Sequence, residues 1–201
     1  MKKNINEINV HIKNFLQKQN ECVNEIQQNT DKINEIIKMI ISTRKNRKTI
    51  FTMGNGGSGS TASHFVSDLQ KTVIVKNENR IKAISLVDNI PVILAWSNDV
   101  SFDQIFEEQL KNQVEKNDLV IAFSGSGKSK NVVNALKTAK KMGAKCIGFT
   151  GKTGGSFNTI CDITFKVLSN DMLTIESQHV TICHCIASTI RSLGKPMFEY
   201  D

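Results

Sequence analysis

The chain lacks several things, and each shortage narrows what it can be. Its 201 residues include two prolines, Pro91 and Pro196. No linker, low-complexity tract or clear internal repeat divides it, so one domain with an added arm is the simplest reading. No apolar run is long enough to span a bilayer. Met1-Lys2-Lys3 is basic, but Asn-Ile-Asn-Glu-Ile follows, without the hydrophobic core of a secretory signal. The five cysteines (Cys22, Cys146, Cys161, Cys183, Cys185) are odd in number and form no CxxC pair. Apolar neighbours flank Cys146, Cys183 and Cys185, as expected of buried reduced thiols. The expectation is a cytoplasmic protein with no membrane segment.

What is present is ordinary for a globular chain: 39% hydrophobic and 22% charged residues, enough for a full core. A formal net charge of +7 suits anionic ligands. The lysines are scattered or lie near the N-terminus, which reads as a solvated basic surface more than as a nucleic-acid footprint.

From about Ile5 to Thr43, apolar residues including Ile8, Ile12, Phe15, Leu16, Ile33, Ile36, Ile37 and Ile40 recur at helical spacing, in one helix or two. Such an arm either packs on another subunit or covers its own sheet. Short apolar runs then alternate with helical patterns. Strands are expected at 49–53, 83–87, 119–123, 146–150 and 163–167. Helices are expected at 58–72, 91–96, 102–114, 129–142, 156–160 and 175–192. This order predicts an α/β three-layer sandwich, with a five-stranded parallel doubly wound sheet and a long N-terminal helical arm. The arm takes 1–45 and the sandwich 46–195. Ligands in such folds sit at the carboxyl ends of the strands.

Those ends carry Gly, Ser and Thr. The first strand breaks into Gly54-Asn55-Gly56-Gly57-Ser58-Gly59-Ser60, the third into Ser124-Gly125-Ser126-Gly127-Lys128-Ser129, and the fourth into Thr150-Gly151-Lys152-Thr153-Gly154-Gly155. Strand, glycine loop and helix together make an anion cradle, because backbone N–H groups and the helix N-terminus face the ligand. Two such loops point to a phosphorylated ligand. Gly54, Gly56 and Gly59 match the spacing of a dinucleotide fingerprint, but Asp88 lies 29 residues past Gly59, where an acid is expected about 20 on. Gly127-Lys128-Ser129 resembles the end of a Walker A loop, but Ala122 stands where that motif needs glycine. No nucleotide cofactor is expected.

His64 and Asp68, four apart, share one helix face. A second cluster holds Glu176, His179 and His184. On a helix, Glu176 is about 80° from His184 and about 60° the other way from His179, which puts the two histidines about 140° apart. Only one of them fits a site with Glu176, and periodicity does not choose between them. His64, Asp68, Glu176 and one histidine could hold a first-row divalent metal or act as an acid/base set without one.

At these residues the chain resembles the sugar isomerase (SIS) domain family and, within it, the phosphoheptose isomerases. The matching pieces are GNGGS at 54–58, His64-Phe65 with an acid at 68, Ser97-Asn98-Asp99, Phe102-Asp103-Gln104-Ile105-Phe106, the SGxS at 126–129, TGKTGG at 150–155, and the C-terminal helix with His179 and His184. The resemblance covers nearly the whole chain, as a single SIS domain. It implies an aldose–ketose isomerase acting on sedoheptulose 7-phosphate through an enediol, in a homotetramer with active sites between subunits. It implies heptose supply for lipopolysaccharide or capsule. Asn55, Gly56, Gly57, Ser58, Asn98 and Asp99 would contact the sugar, and Ser124, Gly125, Ser126 and Ser129 would hold the phosphate. Zinc or another divalent ion would be held by His64, Asp68, Glu176 and His184. Asp68, or else Glu176, would be the base, with His184 as proton shuttle.

The chain also departs from the family. Asp68 stands for Glu, Glu176 for Gln, Gly125 for Thr and Thr61 for an acid, and Leu173-Thr174 lie near the place of an acid before the last helix. Asp68 is one methylene short, which sets its carboxylate back by about 1.5 Å unless the helix shifts. These substitutions motivate a rival reading, a non-catalytic SIS protein that binds a phosphosugar or a replication initiator as a regulator. A nucleotide-binding enzyme is the third reading.

Overall fold

The structure, a computed structural model, describes residues 5–199. The arm is two helices, α1 (Ile5–Gln27) and α2 (Thr30–Lys45). They part at Asn29, whose backbone N–H donates to the carbonyl of Ile26 and whose side chain donates to that of Glu25. Both bonds cap the last turn of α1 and end it. In α2, Ile33, Ile36, Ile37 and Ile40 are buried against the sheet. In α1 only Cys22 is buried, and Ile5, Ile8, Ile12 and Leu16 face outward.

The sandwich then runs β1 (Thr49–Gly54), α3 (Gly56–Ser67), β2 (Lys82–Ser85), α4 (Ile90–Asp99), α5 (Glu107–Gln113), β3 (Leu119–Phe123), α6 (Lys130–Lys141), β4 (Lys145–Thr150), α7 (Phe157–Ile160), β5 (Ile163–Lys166) and α8 (Met172–Ser192). The five strands form one parallel sheet in the order β2-β1-β3-β4-β5. The chain steps from β1 out to β2 and returns past β1 to β3. The loops after β1 and β3 therefore diverge at a switch point, where the fold opens a crevice.

Alternation along the strands builds the two cores. Ile50, Leu119, Ile121 and Phe123 face the side covered by α2, α3 and α8, while Phe51, Met53, Val120 and Ala122 face α5 and α6. Each fully buried Leu, Ile or Phe contributes about 1.5–3 kcal/mol. This two-sided burial is why the strands read as continuous apolar runs.

The predicted elements are all present, with shifted bounds. The helix expected over 58–72 is α-helical to Ser67 and then widens into a π-helical turn, Asp68–Thr72. The 102–114 helix splits into a 3-10 turn, Phe102–Gln104, and α5. Helix α8 begins at Met172, three residues earlier than expected, because Asp171 caps it by accepting from the backbone N–H and the hydroxyl of Thr174. Among the described residues no helix is long and apolar enough to cross a membrane.

Candidate active site

The loop after β1 turns sharply at Gly56 (φ +53°) into α3. Asn55 occupies the N-cap, yet its side chain makes no capping bond. It exchanges two hydrogen bonds with Asn131, of 3.0 and 2.8 Å, and the oxygen of Asn131 also accepts from the backbone of Val132. This pairing ties the β1 loop to the start of α6. It also leaves the first N–H groups of α3 facing the crevice. Asn131 is 2% exposed. Sequence reasoning passed over it because a lone Asn inside an amphipathic helix carries no motif.

Ser124, Ser126 and Ser129 converge in the loop after β3. The hydroxyl of Ser124 lies 3.2 Å from that of Ser129 and 3.5 Å from that of Ser126. Ser129 is the N-cap of α6 and, like Asn55, makes no side-chain cap bond. Three hydroxyls at a helix N-terminus are a phosphate-sized set of donors. Together with Asn55, Ser58, Gly125, Met172 and Glu176 they line a cavity of about 210 Å³.

The loop after β4 supports this one from behind. Gly151 N–H donates to Gly125 C=O, and Ser156 N–H donates to Gly127 C=O. Gly127 sits at φ +61°, and a Cβ there would lie 2.3 Å from the carbonyl oxygen of Gly154, so only glycine fits. Of the three glycine loops in the sequence, two face the crevice and the third braces the second. Gly125 also has a local reason: a Cβ on it would meet the Met172 sulfur at 2.4 Å.

The third part of the site joins α3 to α8. His64 Nε2 and His184 Nε2 are 2.8 Å apart, and Asp68 Oδ2 lies 3.5 Å from the first and 3.8 Å from the second. Both imidazoles are about half exposed, whereas Asp68 is 13% exposed. Its Oδ2 is buried and accepts no hydrogen bond. An orphaned buried carboxylate oxygen is costly unless something completes it. The three ligand atoms all lie within 4.8 Å of one another. Around a tetrahedral zinc with bonds of about 2.0–2.1 Å, ligand atoms stand about 3.4 Å apart. The observed spacings scatter about that value, so two imidazole nitrogens and one carboxylate oxygen fit a divalent ion.

Glu176 lies apart from this trio. Its carboxylate packs over the backbone of Gly57, where an added Cβ would come within 2.3 Å of Oε2. It projects into the serine-lined cavity, and no hydrogen-bond or ion-pair partner for it occurs among the described residues. His179 is in the core instead. It is fully buried beside Phe123 and Phe149, and its Nε2 lies 3.4 Å from the carbonyl of Thr150. Burial pushes its pKa down to about 4. The structure thus chooses His184 as the partner of His64, which periodicity had left open. Asn98 and Asp99 end α4, exposed and bonded to each other at 2.8 Å. They do not line the crevice formed by Asn55, Gly56, Ser60 and His64.

The family model for the SIS domain matches residues 14–151. The phosphoheptose isomerase of Aliarcobacter butzleri is 38% identical over 180 residues, which is 89% of this chain and 94% of that protein. The probable phosphoheptose isomerase of Thermoplasma acidophilum is 36% identical over 162 residues, 81% and 88% of the two chains. Among solved structures, a phosphoheptose isomerase from Francisella tularensis superposes with a TM-score of 0.84 at 27% identity, over 95% of this chain and 100% of that one.

Proposed function

The chain belongs to the SIS domain family, and from that membership and the site's geometry we propose that it interconverts sedoheptulose 7-phosphate and D-glycero-D-manno-heptose 7-phosphate. It is a sugar-phosphate isomerase, like the relatives it matches. The observation that carries the finer reading is the convergence of His64, Asp68 and His184 from two helices, next to a serine-lined anion cradle.

Each residue set has a task. Ser124, Ser126 and Ser129 hold the phosphate, and the backbone around Gly56 and Gly57 lies against the sugar. Asn55 shapes that loop through Asn131. An aldose–ketose interconversion moves a proton between the carbons on either side of an enediol. With no ion bound, Asp68 removes that proton and His184 carries protons to the oxygens or to the second carbon. His64, Asp68 and His184 would hold a zinc ion; Glu176, the fourth ligand that the resemblance implied, lies apart from them. Bound there, such an ion supplies polarisation of the carbonyl and enediolate oxygens. A ligating carboxylate is a poorer base, so Glu176, free of protein partners, takes the proton when Asp68 is so engaged.

A homotetramer with active sites between subunits completes the proposal. The outward apolar residues of α1 support it, as does α4, which buries none of its residues and exposes Ile90 and Leu94. In that assembly Asn98 and Asp99 would reach a neighbouring copy's site. The direct test is turnover of sedoheptulose 7-phosphate by the purified protein, with Asp68→Asn as its control. Absence of turnover with any heptose, hexose or pentose phosphate would refute it.

A further inference from the structure

The carboxylate of Asp68 is held by a residue outside the motifs. Thr72 Oγ1 donates to Asp68 Oδ1 at 3.0 Å. That bond differs from the one made by four other helical threonines. Thr43, Thr61, Thr181 and Thr189 each donate to the backbone carbonyl four residues earlier. For Thr72 that carbonyl belongs to Asp68, but it accepts from the backbone of Val73 instead, in the five-residue spacing of the π-helical turn. The hydroxyl turns to the side chain of the same residue.

The consequence falls on the other oxygen. With Oδ1 fixed by Thr72, Oδ2 is the atom facing His64 and His184, and it is the one left without a hydrogen bond. The widened turn is itself anchored, since Arg191 of α8 donates through Nη1 to the carbonyl of Thr72 at 3.3 Å. A π-helical turn inside a helix is uncommon and recurs at functional sites. Here it begins at the residue whose side chain is a methylene shorter than the glutamate of the resembled family.

We propose that Thr72 is a positioning residue. Its hydroxyl orients the Asp68 carboxylate so that Oδ2, and not Oδ1, is presented to the two imidazoles. A second bond to a ligating carboxylate typically changes metal affinity by roughly 10–100-fold. The inference rests on the reading of His64, Asp68 and His184 as the working centre of the enzyme. It does not depend on which sugar is turned over.

The test compares Thr72→Val, which keeps the shape and loses the hydroxyl, with Thr72→Ser, which keeps the hydroxyl. Zinc affinity is read by competition against a chromophoric chelator, kcat and KM for sedoheptulose 7-phosphate by turnover, and folding by thermal melts. The expected result is a roughly 10-fold or greater loss of zinc affinity and a lower kcat at unchanged KM in Thr72→Val, with Thr72→Ser near wild type in both. Equal affinity and equal kcat in Thr72→Val and wild type would overturn the proposal. So would a Thr72→Ser protein as impaired as Thr72→Val, which would make the methyl group and its packing the cause. If the wild type binds no divalent ion, the metal reading fails by itself, and the kcat comparison alone decides the role of Thr72. If the wild type turns over no sugar phosphate, the isomerase reading fails, and the zinc comparison decides it.

Discussion

His64 and His184 lie 120 residues apart in the chain, yet their Nε2 atoms are 2.8 Å apart across the contact between α3 and α8. Two imidazole nitrogens that close, with a buried carboxylate oxygen beside them, form a site in which each member is incomplete alone.

The first prediction concerns the ion. His184→Ala removes one of three converging ligands, and zinc affinity should fall by at least two orders of magnitude, on the scale known for perturbing metal sites. Thermal melts with and without zinc report this, because an ion that binds only the folded state raises the melting temperature. His179→Gln should leave the zinc-dependent shift intact. A shift that survives in His184→Ala and is lost in His179→Gln would reverse the assignment.

The second concerns the phosphate. Ser124→Ala and Ser129→Ala each delete a hydroxyl aimed at the cavity. A hydrogen bond to a charged group contributes about 1.5–3 kcal/mol, so KM for the sugar phosphate should rise roughly 10–100-fold. Zinc affinity should stay as in wild type, since the loop after β3 supplies none of the trio. Steady-state kinetics beside the chelator competition separates the two effects.

The third concerns pH. An unfolded chain protonates histidine near pH 6.5, whereas folded His179 stays neutral down to about 4. Between those values the unfolded state binds more protons, so stability falls as pH is lowered. This residue contributes nothing to the slope above about pH 6.5. Its penalty is complete near pH 4, at about 3 kcal/mol from the size of the shift. Urea unfolding from pH 7 to pH 4 should show a shallower loss in His179→Gln than in wild type. Identical slopes would mean that His179 is not held neutral.

The fold was legible because both faces of the sheet are covered. Burial on both sides makes each strand a continuous apolar run, and the five runs were found within one or two residues of their bounds. The glycine loops were legible as well, since few structures other than an anion cradle need that composition between strand and helix. What sequence patterns missed is local or long-range. The widened turn at Asp68 follows from a choice between the carbonyl and carboxylate of one residue, which no periodicity records. The Asn55–Asn131 pair joins residues 76 apart. The bracing role of the third glycine loop depends on Gly154 meeting Gly127, although its composition matches that of the loops lining the crevice.

Glu176 shows the same limit from the other side. Helical spacing placed it near both histidines, and resemblance made it a ligand. Its carboxylate rests on Gly57 and projects toward the serine loop. The role of reserve base is open to measurement through Glu176→Gln, which should lower turnover more with zinc bound than after chelation.

The most direct measurement is the conversion of sedoheptulose 7-phosphate by the purified wild-type chain beside Asp68→Asn. Wild type should turn it over, and Asp68→Asn should lose roughly 10²–10⁴-fold in kcat, the range expected for removing a general base. Tight binding of the sugar phosphate by wild type with no turnover would contradict the proposed reaction and make the protein a phosphosugar-binding member of its family.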